Sequence, residues 1–178
     1  FDTAGTSNRI IVNQVPDASR TTVTNADART LVGVIGVSVA DIDARIADTR
    51  ISSIGLSNVL GTDLTLYSSK FANAKVTSLN VVNIASTGLS AVLANNKVKG
   101  VTVTNALAKD VGSLAANPRV SGISIADSSL NITRSYATIL SRNDKVTSVV
   151  QTGVPADITM TAAHYAASTS LLGKFAGS

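Results

Sequence analysis

Val98-Lys99-Gly100-Val101-Thr102-Val103-Thr104-Asn105 is one copy of a phrase that recurs along this chain. It opens on Val or Ile and runs through two variable residues to an apolar one. One variable residue, a residue usually apolar and another variable residue follow, and Asn or Asp usually closes it. The other copies are Ile51 to Asn58, Val76 to Asn83, Val120 to Asp127 and a weakened Val146 to Gly153. Successive copies start 22 to 26 residues apart. An internal period of this size marks a repeat architecture. Such folds bury their core between neighbouring units and work through their long faces.

Within each copy apolar positions alternate with small or polar ones, as a strand with one buried face requires. The inward set is Ile51, Ile54 and Leu56; Val76, Leu79 and Val81; Val98, Val101 and Val103; and Val120, Ile123 and Ile125. β-Branched residues dominate it and suit a pleated surface. The fifth copy keeps Val146 and Val149 but carries Gln151 in the third inward place. An earlier copy is expected at Val34, Val37, Val39 and Asp41, and Thr22 to Asn25 reads as a remnant or a cap.

The residue before each strand is basic: Arg50, Lys75, Lys97, Arg119 and Lys145. Two residues earlier stands Asp48, Asn73, Asn95, Asn117 or Asn143. Asn tolerates the left-handed conformation that ends a helix, and a cation complements a helix C-terminus. Between the strands, Leu107, Val111 and Leu114 follow the spacing of a short amphipathic helix, as do Leu89, Val92 and Leu93 over one turn and the pair Ile42 and Ile46. Leu64-Thr65-Leu66, Leu130-Asn131-Ile132 and Ile158-Thr159-Met160 alternate and are candidates for a second short strand.

The expected fold is therefore α/β: a repeat solenoid with parallel strands on one face and short helices on another, about 22–26 residues per coil. Residues 31–178 form the repeats. Residues 1–30 are irregular and serve as a cap, or as an extension that pairs with a neighbouring molecule.

Composition narrows the function classes. The 178 residues contain no Cys, so disulfides and thiolate metal sites are excluded. All eleven acids are Asp, and the net charge of +4 reflects scarce acids more than plentiful bases. Lys and Arg are scattered singly without aromatic interleaving, which argues against nucleic-acid binding. The longest nearly apolar stretch, Leu31 to Ala40, is broken by Gly33, Gly36 and Ser38 and is too short to span a bilayer. With no initiating Met and no signal pattern at Phe1, a processed product or a piece of something longer is expected.

Asn95-Asn-Lys-Val98-Lys-Gly-Val101-Thr-Val103-Thr-Asn105 resembles the repeats of very large bacterial surface proteins. So does Asp144-Lys145-Val146-Thr147-Ser148-Val149, with Asp157-Ile-Thr-Met-Thr161-Ala-Ala-His-Tyr165-Ala-Ala after it. In those repeats a "kvtsItlTD" strand precedes a "ptLtlTaaqya" strand and helix. The likeness runs from Val34 to Phe175 and is clearest from Phe71 onward. It implies a secreted or surface-attached protein of Gram-negative bacteria, of the adhesin or S-layer-like kind exported by one-step (type I) secretion. It also implies calcium. This chain, however, has no Gly-Gly-x-Gly-x-Asp nonapeptide and is basic where that group is commonly acidic. The cofactor expectation is none, with calcium as the alternative.

Two ladders are the candidate sites. In stacked coils Arg50, Lys75, Lys97, Arg119 and Lys145 form a row of cations able to hold a polyanion such as acidic polysaccharide. The bland reading is that each cation caps its own helix and points into water. Asn58, Asn83, Asn105 and Asp127 form a turn ladder, whose alternative is a calcium site needing converging oxygens. Asp41, Asp43 and Asp48 are the densest acidic cluster, and solvent-facing helix positions explain them as well. His164, the one histidine, lies on an expected helix beside Tyr165 without the partners of a zinc site or a nucleophile elbow. No catalytic or metal-ligating set is read. The expected function is that of a non-enzymatic structural or adhesive repeat protein of the bacterial cell surface or extracellular matrix. It would self-associate, join neighbouring repeats or present a repetitive face; the alternative is a module that binds anionic glycan.

Overall fold

A computed structural model describes residues 10–16, 30–154 and 156–175. Its strands are β1 Ile10–Pro16, β2 Thr30–Val37, β3 Ile51–Leu60, β4 Val76–Ala85, β5 Val98–Ala106, β6 Val120–Asp127 and β7 Val146–Gln151. Short helices separate them: α1 Ile42–Ala47, α2 Asp63–Leu66, α3 Ser68–Phe71, α4 Leu89–Ala94, α5 Val111–Ala116, α6 Ser129–Ser141, α7 Ala162–Ala167 and α8 Thr169–Leu172. The backbone divides into two compact units, Phe1–Val81 with Asn96–Lys99 and Val82–Asn95 with Gly100–Ser178. In the first, β1, β2 and β3 pair in parallel. In the second, β5, β6 and β7 do so. The chain is thus parallel α/β with short crossover helices, the connection that parallel strands require.

Numbering the phrase from its opening residue, slots 1, 4 and 6 form the core. All twelve inward residues from Ile51 to Ile125 named above are at most 1 % exposed. Burying residues of this size gains about 1.5–3 kcal/mol each relative to leaving them exposed. A ninth slot, not read in the sequence, is buried too: Val37, Val59, Ile84 and Ala106.

Slots 1 and 4, like slots 6 and 9, are three apart and would face opposite sides of an uninterrupted strand. An extra residue resolves each conflict. Ser52, Ser121 and Thr147 at slot 2 are skipped in the pairing with the preceding strand. At slot 8 stands a left-handed residue: Asn58, Asn83 and Asn105 have φ of 53°, 60° and 53°, and Gly36 and Gly153 have 79° and 78°. The pairing skips Gly36 and shifts across Asn105 as a bulge does. Only Gly and short polar residues adopt this conformation readily. The closing Asn residues of β3, β4 and β5 are therefore bulges inside strands, not turns after them. Asn105→Val should lower stability by about 1–2 kcal/mol, the cost of a left-handed backbone for a side chain that resists it. Asn105→Gly should be close to neutral, and urea unfolding of the two variants checks the contrast.

The helix-ending Asn residues, conversely, are not left-handed. Asp48, Asn95 and Asn117 are extended, with ψ of 113°, 115° and 121°. Asn73 and Asn117 instead accept the backbone N–H of Lys75 and Arg119, each at 2.9 Å, and Asp48 accepts that of Arg50 in the same way. These are Asx turns, for which the short side chain is the requirement.

The bulges also change the register. Val101 pairs with Val120, Val103 with Ile123 and Ala106 with Ile125. Slot 4 therefore stands beside slot 1 of the next strand, slot 6 beside slot 4, and slot 9 beside slot 6. The same slip joins Val32, Val34 and Val37 to Ile51, Ile54 and Leu56, and Ile123 and Ile125 to Val146 and Val149. Equivalent residues of successive copies are therefore not level: Val103 stands beside Ile123, not Ile125. Such a constant stagger is the shear that tilts strands within a sheet. The register also corrects the early copy: Val32, Val34 and Val37 take its fourth, sixth and ninth slots, and its eighth is Gly36, not Asp41.

The proposed second strands do not form. Leu64-Thr65-Leu66 lies in α2, with Leu66 71 % exposed. Leu130-Asn131-Ile132 lies in the first turn of α6, where the Ser128 hydroxyl accepts the Asn131 N–H. Ile132, Tyr136 and Ile139 are buried at helical spacing, and that longer stripe overrides a three-residue alternation. Ile158–Met160 has no regular structure. Of residues 1–30, Ile10–Pro16 forms β1 along β2; Thr22–Asn25 lies outside the described residues.

Candidate functional site

Each basic residue of the candidate ladder sits at the same repeated junction. The slot-4 N–H of each strand donates to the carbonyl of the basic residue opening the next: Val32 to Arg50, Ile54 to Lys75, Leu79 to Lys97, Val101 to Arg119 and Ile123 to Lys145, all at 2.7–2.8 Å. Val149 donates to Lys174 in the same manner, and Phe175 bridges to Val149 as a slot-1 residue.

The side chains then turn back, towards the preceding repeat. Lys75 Nζ donates to the Ile46 and Asp48 carbonyls at the end of α1, both at 2.8 Å. Lys97 Nζ reaches Phe71 and Asn73 at the end of α3, at 2.7 and 2.9 Å. Lys145 Nζ reaches Ala115 and Asn117 at the end of α5, at 2.8 and 3.1 Å. Lys174 Nζ caps Asn143 after α6. The final carbonyls of a helix lack intrahelical donors, so a lysine there satisfies them and meets the negative end of the dipole. The expectation that each cation caps its own helix is corrected: the lysines cap the helix one repeat earlier.

Arg50 differs. Arg50 makes a two-pronged pair with Asp48, Nε to Oδ1 at 3.0 Å and Nη2 to Oδ2 at 2.8 Å. The Arg50 guanidinium holds the Asp48 carboxyl below its ordinary range against the opposing effect of burial, with Lys75 adding to it. Arg119 is half-buried, at an open cavity of about 590 Å³ beside α4. Lys145→Met, which keeps the apolar stem but removes the charge, should cost about 1–2 kcal/mol for two charge-assisted bonds in a half-exposed place. Thermal unfolding of the variant measures it.

In the second ladder Asn58, Asn83 and Asn105 are exposed at their bulges, whereas Asp127 is buried at 6 % exposure. Asp127 Oδ2 accepts the Ala108 N–H at 2.9 Å, and Oδ1 accepts the Ser128 N–H and Asn131 Nδ2, each at 2.8 Å. It is a structural clasp between the end of β6, the start of α6 and the turn before α5. Burial opposes its ionisation, but these hydrogen bonds and nearby Lys109 prevail and hold the carboxyl below its usual value. The acids of the densest cluster diverge: Asp41 accepts from Ser38, Asp43 pairs with Lys70 and Asp48 with Arg50. Among the described residues no three His or Asp side chains converge as metal ligands.

His164 is half-buried on α7, whose first turn is capped by the Thr161 hydroxyl accepting the His164 N–H. Its ring lies 6.1 Å from that of Tyr136 on α6. The sequence singled out His164 but gave no signal that Tyr136, placed inward by the stripe of α6, meets it.

Compared with protein-family models, curated proteins and solved structures, the chain finds no match. The resemblance to bacterial surface repeats rests on the residues quoted for it. Among the described residues no helix is long and apolar enough to cross a membrane.

Proposed function

We propose that this chain is a non-enzymatic structural or adhesive repeat segment of a bacterial surface or secreted protein. In this reading the solenoid narrows to a repeat array whose units share one junction and extend by adding further units or neighbouring molecules. The observation that carries it is the recurrence of that junction: one backbone bond from slot 4 to the next basic residue, present at each of the six places named above. Where backbone bonding, bulge and lysine cap all recur, the sequence is specifying a stackable unit. A parallel strand edge is a natural site for adding another.

The alternative, a polyanion held on the basic ladder, is weaker on physical grounds. Lys75, Lys97 and Lys145 already direct two N–H donors each at helix carbonyls. Light scattering after size exclusion, followed by electron microscopy, tests the proposal. Concentration-dependent growth into regular oligomers or filaments is expected. A strict monomer that binds heparin at low salt, and loses that binding when Lys75, Lys97 and Arg119 are replaced by Ala, would overturn it in favour of the binding module.

A further inference from the structure

One cavity of the second unit has no part in the repeated junctions. It measures about 380 Å³ and lies between α6 and the segment running from Thr159 to His164. Its polar lining is Thr133, Arg134 and Tyr136 from the helix with Thr159, Thr161 and His164 opposite. Met160 supplies an apolar contact surface.

Three observations bear on its use. Tyr136 is 2 % exposed, yet its phenol oxygen has no hydrogen-bond partner, and neither does the buried Oγ1 of Thr133. Buried hydroxyls are ordinarily paired, so two orphans in one wall require an explanation. Secondly, no carboxylate lines the cavity: every polar side chain there is a hydroxyl, a guanidinium or an imidazole. Thirdly, Arg134 is exposed and makes no ion pair among the described residues. A donor-rich hollow with an uncommitted guanidinium is complementary to an anion, and a planar guanidinium matches a carboxylate through two parallel bonds.

We infer that this cavity binds a small carboxylate of the size of one sugar-acid residue. Arg134 holds the carboxylate at the rim. The hydroxyls of Thr133 and Tyr136, after small rotations, and the ring of His164 bond the sugar hydroxyls, and Met160 packs against the apolar face of the ring. The volume lies at the small end of ligand-pocket sizes, which suits a single residue better than a chain. This binding goes beyond the scaffold reading and does not depend on it.

The test titrates the full chain with D-galacturonate, and with D-galactose as its uncharged counterpart, by calorimetry and by amide chemical shifts. Saturable galacturonate binding is expected, with shifts centred on Thr133, Tyr136 and His164 and little response to galactose. Arg134→Ala should weaken binding about tenfold or more, the loss of a charge-assisted pair. Tyr136→Phe should weaken binding without lowering the unfolding midpoint, because its hydroxyl has no partner inside the protein. Lys99→Ala, in the other unit, should bind as the parent does. The site is refuted by an absence of saturation, by galactose binding equally well, or by Arg134→Ala or Tyr136→Phe retaining full affinity. An equal loss in Lys99→Ala would show attraction by net charge alone and refute it too.

Discussion

Ile123→Ala is expected to reduce stability by about 3–4 kcal/mol, within the range for truncating a fully buried branched side chain. Ile123 is fully buried at the middle of β6, and its neighbours across the ladder are Val103 on one side and Val146 on the other. The inward slots around it are mostly filled by β-branched residues fixed in few rotamers, so the hole left behind has little freedom to collapse. Denaturant unfolding followed by circular dichroism measures the loss. A cost below about 1 kcal/mol would mean that Ile123 is not at the packed centre its burial implies. Ile123→Val, which removes one methylene, should cost about 1 kcal/mol and sets the scale.

Asp127→Ala should be nearly as damaging, by about 2–4 kcal/mol, because it strips acceptors from donors that water reaches poorly. Ala108, whose N–H loses its partner, is itself fully buried. The loss should depend on pH, and its sign follows from the lowered carboxyl pKa in the folded chain. A depressed folded pKa contributes stability that is complete above the unfolded value of 3.8 and disappears as the pH falls through the folded value. The gap between parent and Asp127→Ala should therefore be constant near neutrality and narrow in acid. Unfolding midpoints collected from neutral pH down to strong acid would show it, and a gap that widened in acid would contradict the clasp.

Much of the architecture was legible because the slot pattern is direct chemistry. Val, Ile and Leu three and then two residues apart, repeated with a basic residue in front, left few alternatives to parallel strands. What failed was the assumption of an unbroken strand. Alternation alone puts slots 4 and 6 on one face. Slot 1, read as inward with them, reaches that face only through the extra residue at Ser52 and Ser121, and slot 9 went unread because it needs the left-handed residues Asn58 and Asn105. Asn at slot 8 and Asn before the basic residue look alike in sequence. One solves a backbone problem with its left-handed φ and the other with its side-chain oxygen, and only the geometry separates them. The basic residue before each strand was legible. That the lysines reach back one repeat depends on helix ends brought near by the register. The meeting of Arg134, Tyr136 and His164 was not legible at all, because it depends on an irregular segment folding against α6.

The stagger between strands has a bearing on how this chain tolerates change. A bulky replacement at Val103 presses on Ile123, not on the residue that fills the same place in the next copy. Compensating exchanges should therefore run along diagonals, and grafting one whole copy onto another would mismatch both of its flanks unless its partners moved with it.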